Sequence, residues 1–584
     1  MRLAAMQGTT SRATVEGRGV SRAERLKGVL FALAVLAITA SLFGFLFNRE
    51  SVLSYSIGYN LYGAERVLDG ETPYRDFHTL YPPATLYLNA AIFKLFGITL
   101  YNALLGVFVF KVLTALALYL CGAKIMARNW ALLAALSSLI WLRPNGPFKA
   151  VPMHYGALFL ALALFLLLKS LSDKKSGWLF LAGISLGALT LFKHNIGGYA
   201  LTGTLVIVLL DDGAGSFKLV EIARNYKRAL ALVAGFLLPV APVLIYMAAR
   251  GALLPMMKTL LFGPGEFLVS RLASAPSPLV PALFVSWIAL VAYSVHRFRS
   301  SAFLIASVEL FFPMTIILFL NRVDQSVIDK IIFYAPVIVI LAAALTVFKR
   351  RKIGITDCRA LALVTVFAWA AFMESFPRFA REQAIAAMPF VILLLCYLLY
   401  VYKPLLEGLS LRPVLLRMAF LILPMAFVLM GGRLFYHTYF DGGLRLKSTT
   451  ELAIDRGRGV YFPAAEAEEI DRVVSYIQEN TPQGGHFFPQ SYAGSSFLFL
   501  ADRENPSGAQ FWGGVGVTDD ERADTLKAID EKHVELIVTS DKDVAAEKHA
   551  PMRELISGEF ETAERYGDVL ILRRKNSLKG FIDR

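Results

Sequence analysis

Apolar runs of about twenty residues, the length a helix needs to cross the hydrocarbon of a bilayer, recur along this chain from residue 27 to residue 431. In lipid every backbone polar group must be satisfied within its own segment, so such runs have few choices besides transmembrane helix. Spans are expected near 27–48, 101–124, 129–143, 153–172, 176–192, 196–211, 228–249, 278–297, 302–321, 331–348, 358–376, 384–402 and 414–431. The 584 residues are 56% hydrophobic and 18% charged, where a soluble chain carries roughly a quarter charged residues. The fold class is therefore an α-helical polytopic membrane protein of about 13 transmembrane helices.

A formal charge of +14 raises nucleic acid as a partner, and the distribution of that charge excludes it. Arg2, Arg12, Arg18, Arg22, Arg25 and Lys27 precede the first span, and Lys349-Arg350-Arg351-Lys352 follows a later one. Basic residues beside spans mark cytoplasmic loops. With an odd span count the N-terminus lies inside and the C-terminus outside. Each inner loop is then basic, from Lys124 and Arg128 through Lys218, Arg224, Lys227 and Arg228 to Lys403 and Arg412. Residues 1–26 read as a cytoplasmic tail before a retained anchor, and 27–432 as the membrane domain. The setting is a bacterial-type inner or plasma membrane, with membrane lipid as the surroundings. Lys111 and Glu309 fall within spans, where ionisable groups are costly, and are expected to face the bundle interior.

Residues 433–584 change character and read as a small extracytoplasmic α/β domain. Helical patterns occur near 465–480 and 520–533. Strand-like runs occur at His486–Pro489, Ser496–Leu500, Glu535–Thr539 and Asp568–Leu572. Cys121, Cys358 and Cys396 all lie in or beside apolar runs, so no disulfide framework braces this domain, and their spacing suits no metal site.

The first outer loop, 49–100, concentrates ionisable groups between two spans. Gly58 to Asp69 reads as a short amphipathic helix: Leu61, Ala64 and Leu68 make an apolar face, Tyr59, Tyr62, Arg66 and Asp69 another, and Gly70 a stop. It is expected to lie on the membrane surface with its polar face toward an aqueous cavity. Thr72-Pro73-Tyr74 turns the chain, Arg75-Asp76-Phe77-His78 follows, and Tyr81-Pro82-Pro83 fixes an extended segment.

The string GYNLYGAERVLDGETPYRDFHTLYPPATLYLNAAIFKLFG resembles the first extracytoplasmic loop of the GT-C membrane glycosyltransferases, which include protein O-mannosyltransferases, lipid A aminoarabinose transferases and lipopolysaccharide-core galacturonosyltransferases. The likeness continues more weakly at LAGISLGALTLFKHNIGGYA and FPRFAREQAIAAMPF. It implies transfer of a sugar from a polyprenyl-phosphate donor to a glycan, lipid or protein acceptor on the outer face. It also implies an Asp, often Asp-Glu, just before Gly58-Tyr59 as the base. This chain has Tyr55-Ser56-Ile57 there, and neither Ser56 nor Ile57 accepts a proton at neutral pH. Either another carboxylate serves, or transferase activity has been lost.

Sugar transfer needs a carboxylate to take the acceptor hydroxyl's proton, cations to meet the departing phosphate, and an apolar groove for the prenyl tail. Asp76, Asp69 and Glu65 are the candidate catalytic carboxylates; Arg75, Lys193, His194 and Arg378 are the candidate phosphate ligands. Each has a plainer reading: Arg75-Asp76 as a solvated pair, Glu65 and Asp69 as a solvated i, i+4 pair, Lys193 as a lysine reaching the interface. Loop carboxylates could hold a divalent metal through oxygen ligands, though no spacing demands one. Two other classes stand beside the transferase: a non-catalytic accessory protein of envelope-glycan assembly, and a lipid-linked sugar transporter. The transporter ranks last because no internal repeat is visible.

Overall fold

A computed structural model describes residues 22–50, 53, 58–142, 151–173, 175–210, 222–262, 325–353, 358–375, 381–408, 427–434, 436, 449–490, 494–509, 512, 519–545, 547 and 550–575. The membrane domain is a helical bundle: α1 (Arg22–Gly44), then a π-turn (Gly58–Tyr62) running into α2 (Gly63–Leu68) and α3 (Ala84–Phe96) of the first loop. There follow α4 (Leu100–Ile125), α5 (Arg128–Trp141), α6 (Pro152–Asp173), α7 (Ser176–Phe192), α8 (His194–Leu209), α9 (Ile222–Ala249), α10 (Leu253–Phe262), α11 (Gln325–Ile353), α12 (Arg359–Phe372) and α13 (Arg381–Gly408). Among the described residues five helices are long and apolar enough to cross a membrane by length and composition. The expected spans 278–297 and 302–321, with Glu309, lie outside the described residues, as does most of 414–431.

Helix α13 is apolar on every face because every face is covered: Ala384, Ala387, Met388, Val391 and Leu394 are fully buried. Small residues let α7 and α9 touch backbone to backbone, as membrane helices must where no hydrophobic force drives them together. A Cβ on Gly183 would stand 2.1 Å from the Leu232 carbonyl oxygen, and one on Gly235 2.0 Å from that of Phe180. Lys111 on α4 is buried, as expected of an ionisable group facing the interior.

The C-terminal region, the outer domain of the sequence expectation, carries α14 (Ala464–Asn480), α15 (Gly494–Ala501), α16 (Asp519–Glu531), α17 (Asp541–Ala545) and α18 (Ala550–Glu559). An antiparallel pair joins β1 (Thr449–Glu451) to β2 (Tyr461–Pro463). A four-stranded sheet runs β3 (Phe488–Pro489), β4 (Leu536–Thr539), β6 (Val569–Arg574), β5 (Phe560–Tyr566), with β3 parallel to β4 and the other pairs antiparallel. Three strand expectations stand. The fourth does not: Ser496–Leu500 is helical, within α15. A short apolar run buried on all sides reads alike in either state.

The first loop is sandwiched between bundle and outer domain, which changes the surface-helix expectation. The π-turn and α2 bury both faces, with Leu61 and Ala64 at 0% and Tyr59 and Tyr62 at 6% exposure. From below, Asn89 of α3 accepts a hydrogen bond from Tyr155 of α6 at 2.8 Å. From above, α15 lies on Gly58, where a Cβ would meet the Ser495 and Ser496 backbone at 2.2–2.4 Å. Phe93 stacks on Phe499, ring centroids 5.6 Å apart, and the Asn505 N–H donates to the Tyr62 hydroxyl at 2.7 Å.

Candidate functional site

Most of the loop's carboxylates are spent on holding the loop. Glu65 receives both terminal nitrogens of Arg456, from the outer domain, at 2.8 and 2.6 Å; Arg456 also donates to the Phe499 carbonyl at 2.8 Å and pairs with Asp502. Burial pushes the Glu65 carboxyl above its usual range, and Arg456 opposes that shift. Asp76 accepts from Arg75 Nε at 2.7 Å on one oxygen, and from Arg75 and the Thr72 N–H at 2.7 and 2.6 Å on the other. Those bonds from Arg75 hold its carboxyl below the ordinary value. Arg75 donates onward to the Arg250 carbonyl at 3.1 Å, which fastens the loop to the α9–α10 turn. Asp69 ends α2 on an exposed shoulder, its carboxyl raised by burial and by Glu504.

The turn that carries Asp76 is strained. Tyr74 has φ +67°, a conformation that costs a bulky residue about 1–3 kcal/mol. It is over-determined by contacts. The Tyr74 N–H donates to the Phe77 carbonyl at 2.8 Å, and its hydroxyl to the Tyr81 carbonyl at 2.5 Å. The Leu80 N–H donates to the Tyr59 hydroxyl. Tyr81 is thereby fixed edge-on to Tyr59, centroids 6.3 Å apart.

Lys193 meets the loop at this tyrosine. Helices α7 and α8 turn on that single non-helical residue, which puts Lys193 Nζ 4.5 Å from the Tyr81 ring centroid. The same Nζ pairs with Glu374 Oε1 at 2.7 Å, with side chains only 12% and 8% exposed. Glu374 sits in a 3-10 turn, Met373–Ser375, between α12 and α13. Among the described residues, buried Glu374 Oε2, His194 Nδ1 and Asn195 Oδ1, on the two turns that meet in the pair, have no hydrogen-bond partner, nor has Gln383 Oε1 in the first turn of α13. Three of these four atoms are acceptors, so the site calls for hydroxyl or ammonium donors.

Of the expected phosphate ligands, Lys193 lies beside Tyr81, His194 follows it in the chain and meets the Leu260 backbone of α10, Arg75 lies along the first loop, and Arg378 lies outside the described residues. Glu374 was not among the expected site residues; its partner is 181 positions upstream (374 − 193), and nothing local in MESFP marks it. Among the described residues no three His, Cys, Asp or Glu side chains could hold a metal ion together.

The profile of the dolichyl-phosphate-mannose-protein mannosyltransferase family matches residues 81–246, the segment from Tyr81 through Lys193 to Tyr246. No curated protein matches the chain. Among solved structures, the apo oligosaccharyltransferase of Archaeoglobus fulgidus aligns with 94% of this chain and 75% of its own, at 14% identity and a TM-score of 0.50. ArnT from Cupriavidus metallidurans bound to undecaprenyl phosphate aligns over 95% of this chain and 98% of its own, at 13% identity and a TM-score of 0.50. At such identities the likeness is one of fold.

Proposed function

From a chain with the GT-C membrane glycosyltransferase fold, we propose an integral-membrane transferase that moves a sugar from a polyprenyl-phosphate donor to a glycan, lipid or protein acceptor at the extracytoplasmic face. The observation that carries this is the buried Lys193–Glu374 pair over Tyr81. It sets a cation and unmet hydroxyl acceptors side by side at the end of the bundle that the outer domain covers. ArnT, of the same fold, is seen with undecaprenyl phosphate.

In this reading Lys193, with Arg75 and Arg378, meets the phosphate, whose charge grows as the sugar leaves. His194 lines the same corner. Asp76 aims Arg75, and Glu65 clamps the outer domain through Arg456. Displacement is direct, with inversion at the anomeric carbon. The N-terminus is cytoplasmic, 27–432 form the membrane domain and 433–584 the extracytoplasmic one.

The test is a transfer assay with the purified full chain in nanodiscs, radiolabelled undecaprenyl-phosphate hexoses and pentoses, and envelope acceptor fractions. Label should move to one acceptor class, and Lys193→Met should lower the rate about 100-fold, the scale of losing one charge-stabilising donor. Undecaprenyl phosphate bound without transfer from any donor would instead leave the accessory protein.

A further inference from the structure

The family pattern puts its base before Gly58, where this chain has none. The three first-loop carboxylates expected to serve do not fill that place. Both oxygens of Glu65 are held by Arg456, both oxygens of Asp76 accept from Arg75 or the Thr72 N–H, and Asp69 is exposed on the far end of α2. Glu374 differs. One oxygen is fixed by Lys193 at 2.7 Å in a side chain 8% exposed, and the other is buried and accepts no hydrogen bond among the described residues. A carboxyl group with one anchored and one waiting oxygen is suitably oriented to receive a proton.

We propose that Glu374 is the catalytic base, taking the acceptor hydroxyl's proton on Oε2 while Lys193 passes from Glu374 to the leaving phosphate. This deepens the transferase reading and rests on it. The acceptor oxygen forms its bond to the anomeric carbon, and the bond from that carbon to the phosphate oxygen breaks with its electron pair on the phosphate. The proton goes to Glu374. The phosphate passes from a diester with one charge to a monoester with two, and Glu374 becomes neutral, so total charge is unchanged. Protonation removes the counter-ion of Lys193 at the moment the phosphate acquires its second charge.

Two readouts on the full chain in nanodiscs separate this from a structural role: the transfer rate with the donor the wild type uses, and the affinity for undecaprenyl phosphate alone. Glu374→Gln should slow transfer by about 100-fold or more, the usual contribution of a positioned base. It should also tighten undecaprenyl phosphate binding several-fold, because a competing negative charge beside Lys193 is removed. Transfer within a few-fold of wild type overturns the proposal, as does a parallel loss of rate and binding. If Glu374→Gln does not fold, Glu374→Asp keeps the charge but withdraws it by one methylene. That variant should lose transfer at least tenfold with binding held, and an unchanged rate overturns the proposal. A wild type that transfers no sugar defeats the transferase reading, and this with it; a wild type that transfers beside an unimpaired Glu374→Gln defeats this alone.

Discussion

Asp76 shows how a residue can sit in the right stretch and do other work. Arg75 and the Thr72 N–H converge on its two oxygens, and the Arg75 hydrogen bonds hold its carboxyl below the usual value. A carboxyl depressed in the folded state contributes stability above its unfolded value, about 3.9, and loses it as pH falls through the folded value. The Thr72 amide should therefore exchange faster in Asp76→Asn than in wild type above about pH 4, with the gap closing as the pH is lowered further. Hydrogen exchange at Thr72 reads this directly, and a gap that stays flat with pH would contradict it. The Arg75-Asp76 contact was legible in the sequence because the two are neighbours. The engagement of Glu65 by Arg456, 391 positions away, was not, since only the folded chain brings them together.

At the scale of elements, hydropathy served well where burial follows local periodicity. The expected spans 101–124, 153–172 and 176–192 reappear as α4, α6 and α7 within a residue or so. It served poorly where the outer domain intervenes. The Gly58–Asp69 helix is covered rather than surface-lying, and SFLFL (496–500) is helix rather than strand because its apolar residues are buried among partners from the loop and the sheet. Gly58 records that contact. Gly58→Val adds a Cβ into the space of the Ser495–Ser496 backbone, an overpacking that costs about 1–3 kcal/mol. Helix α15 should lift, and limited proteolysis should cut the outer domain of Gly58→Val markedly faster than that of wild type. Equal cleavage rates would mean that α15 does not depend on this contact.

For the molecule as a whole, the bundle, the first loop and the outer domain form three layers, with the charged loop held in the middle. Tyr81 brings the loop to the α7–α8 turn, and Arg456 brings the C-terminal domain to the loop. The membrane class and the importance of the first loop could be read from apolar runs and ionisable residues alone. The pairing of Lys193 with Glu374 could not, because it joins two inter-helix turns that no periodicity relates. The central claim is that a polyprenyl phosphate seats its head group at this junction. The most direct measurement is photo-crosslinking of undecaprenyl phosphate carrying a diazirine beside its phosphate to the full chain in nanodiscs, with labelled peptides mapped by mass spectrometry. Labelling should concentrate on peptides containing Tyr81, Lys193 and Glu374, and fall in Lys193→Met. Labelling spread along the lipid-facing helices and indifferent to Lys193 would contradict the account.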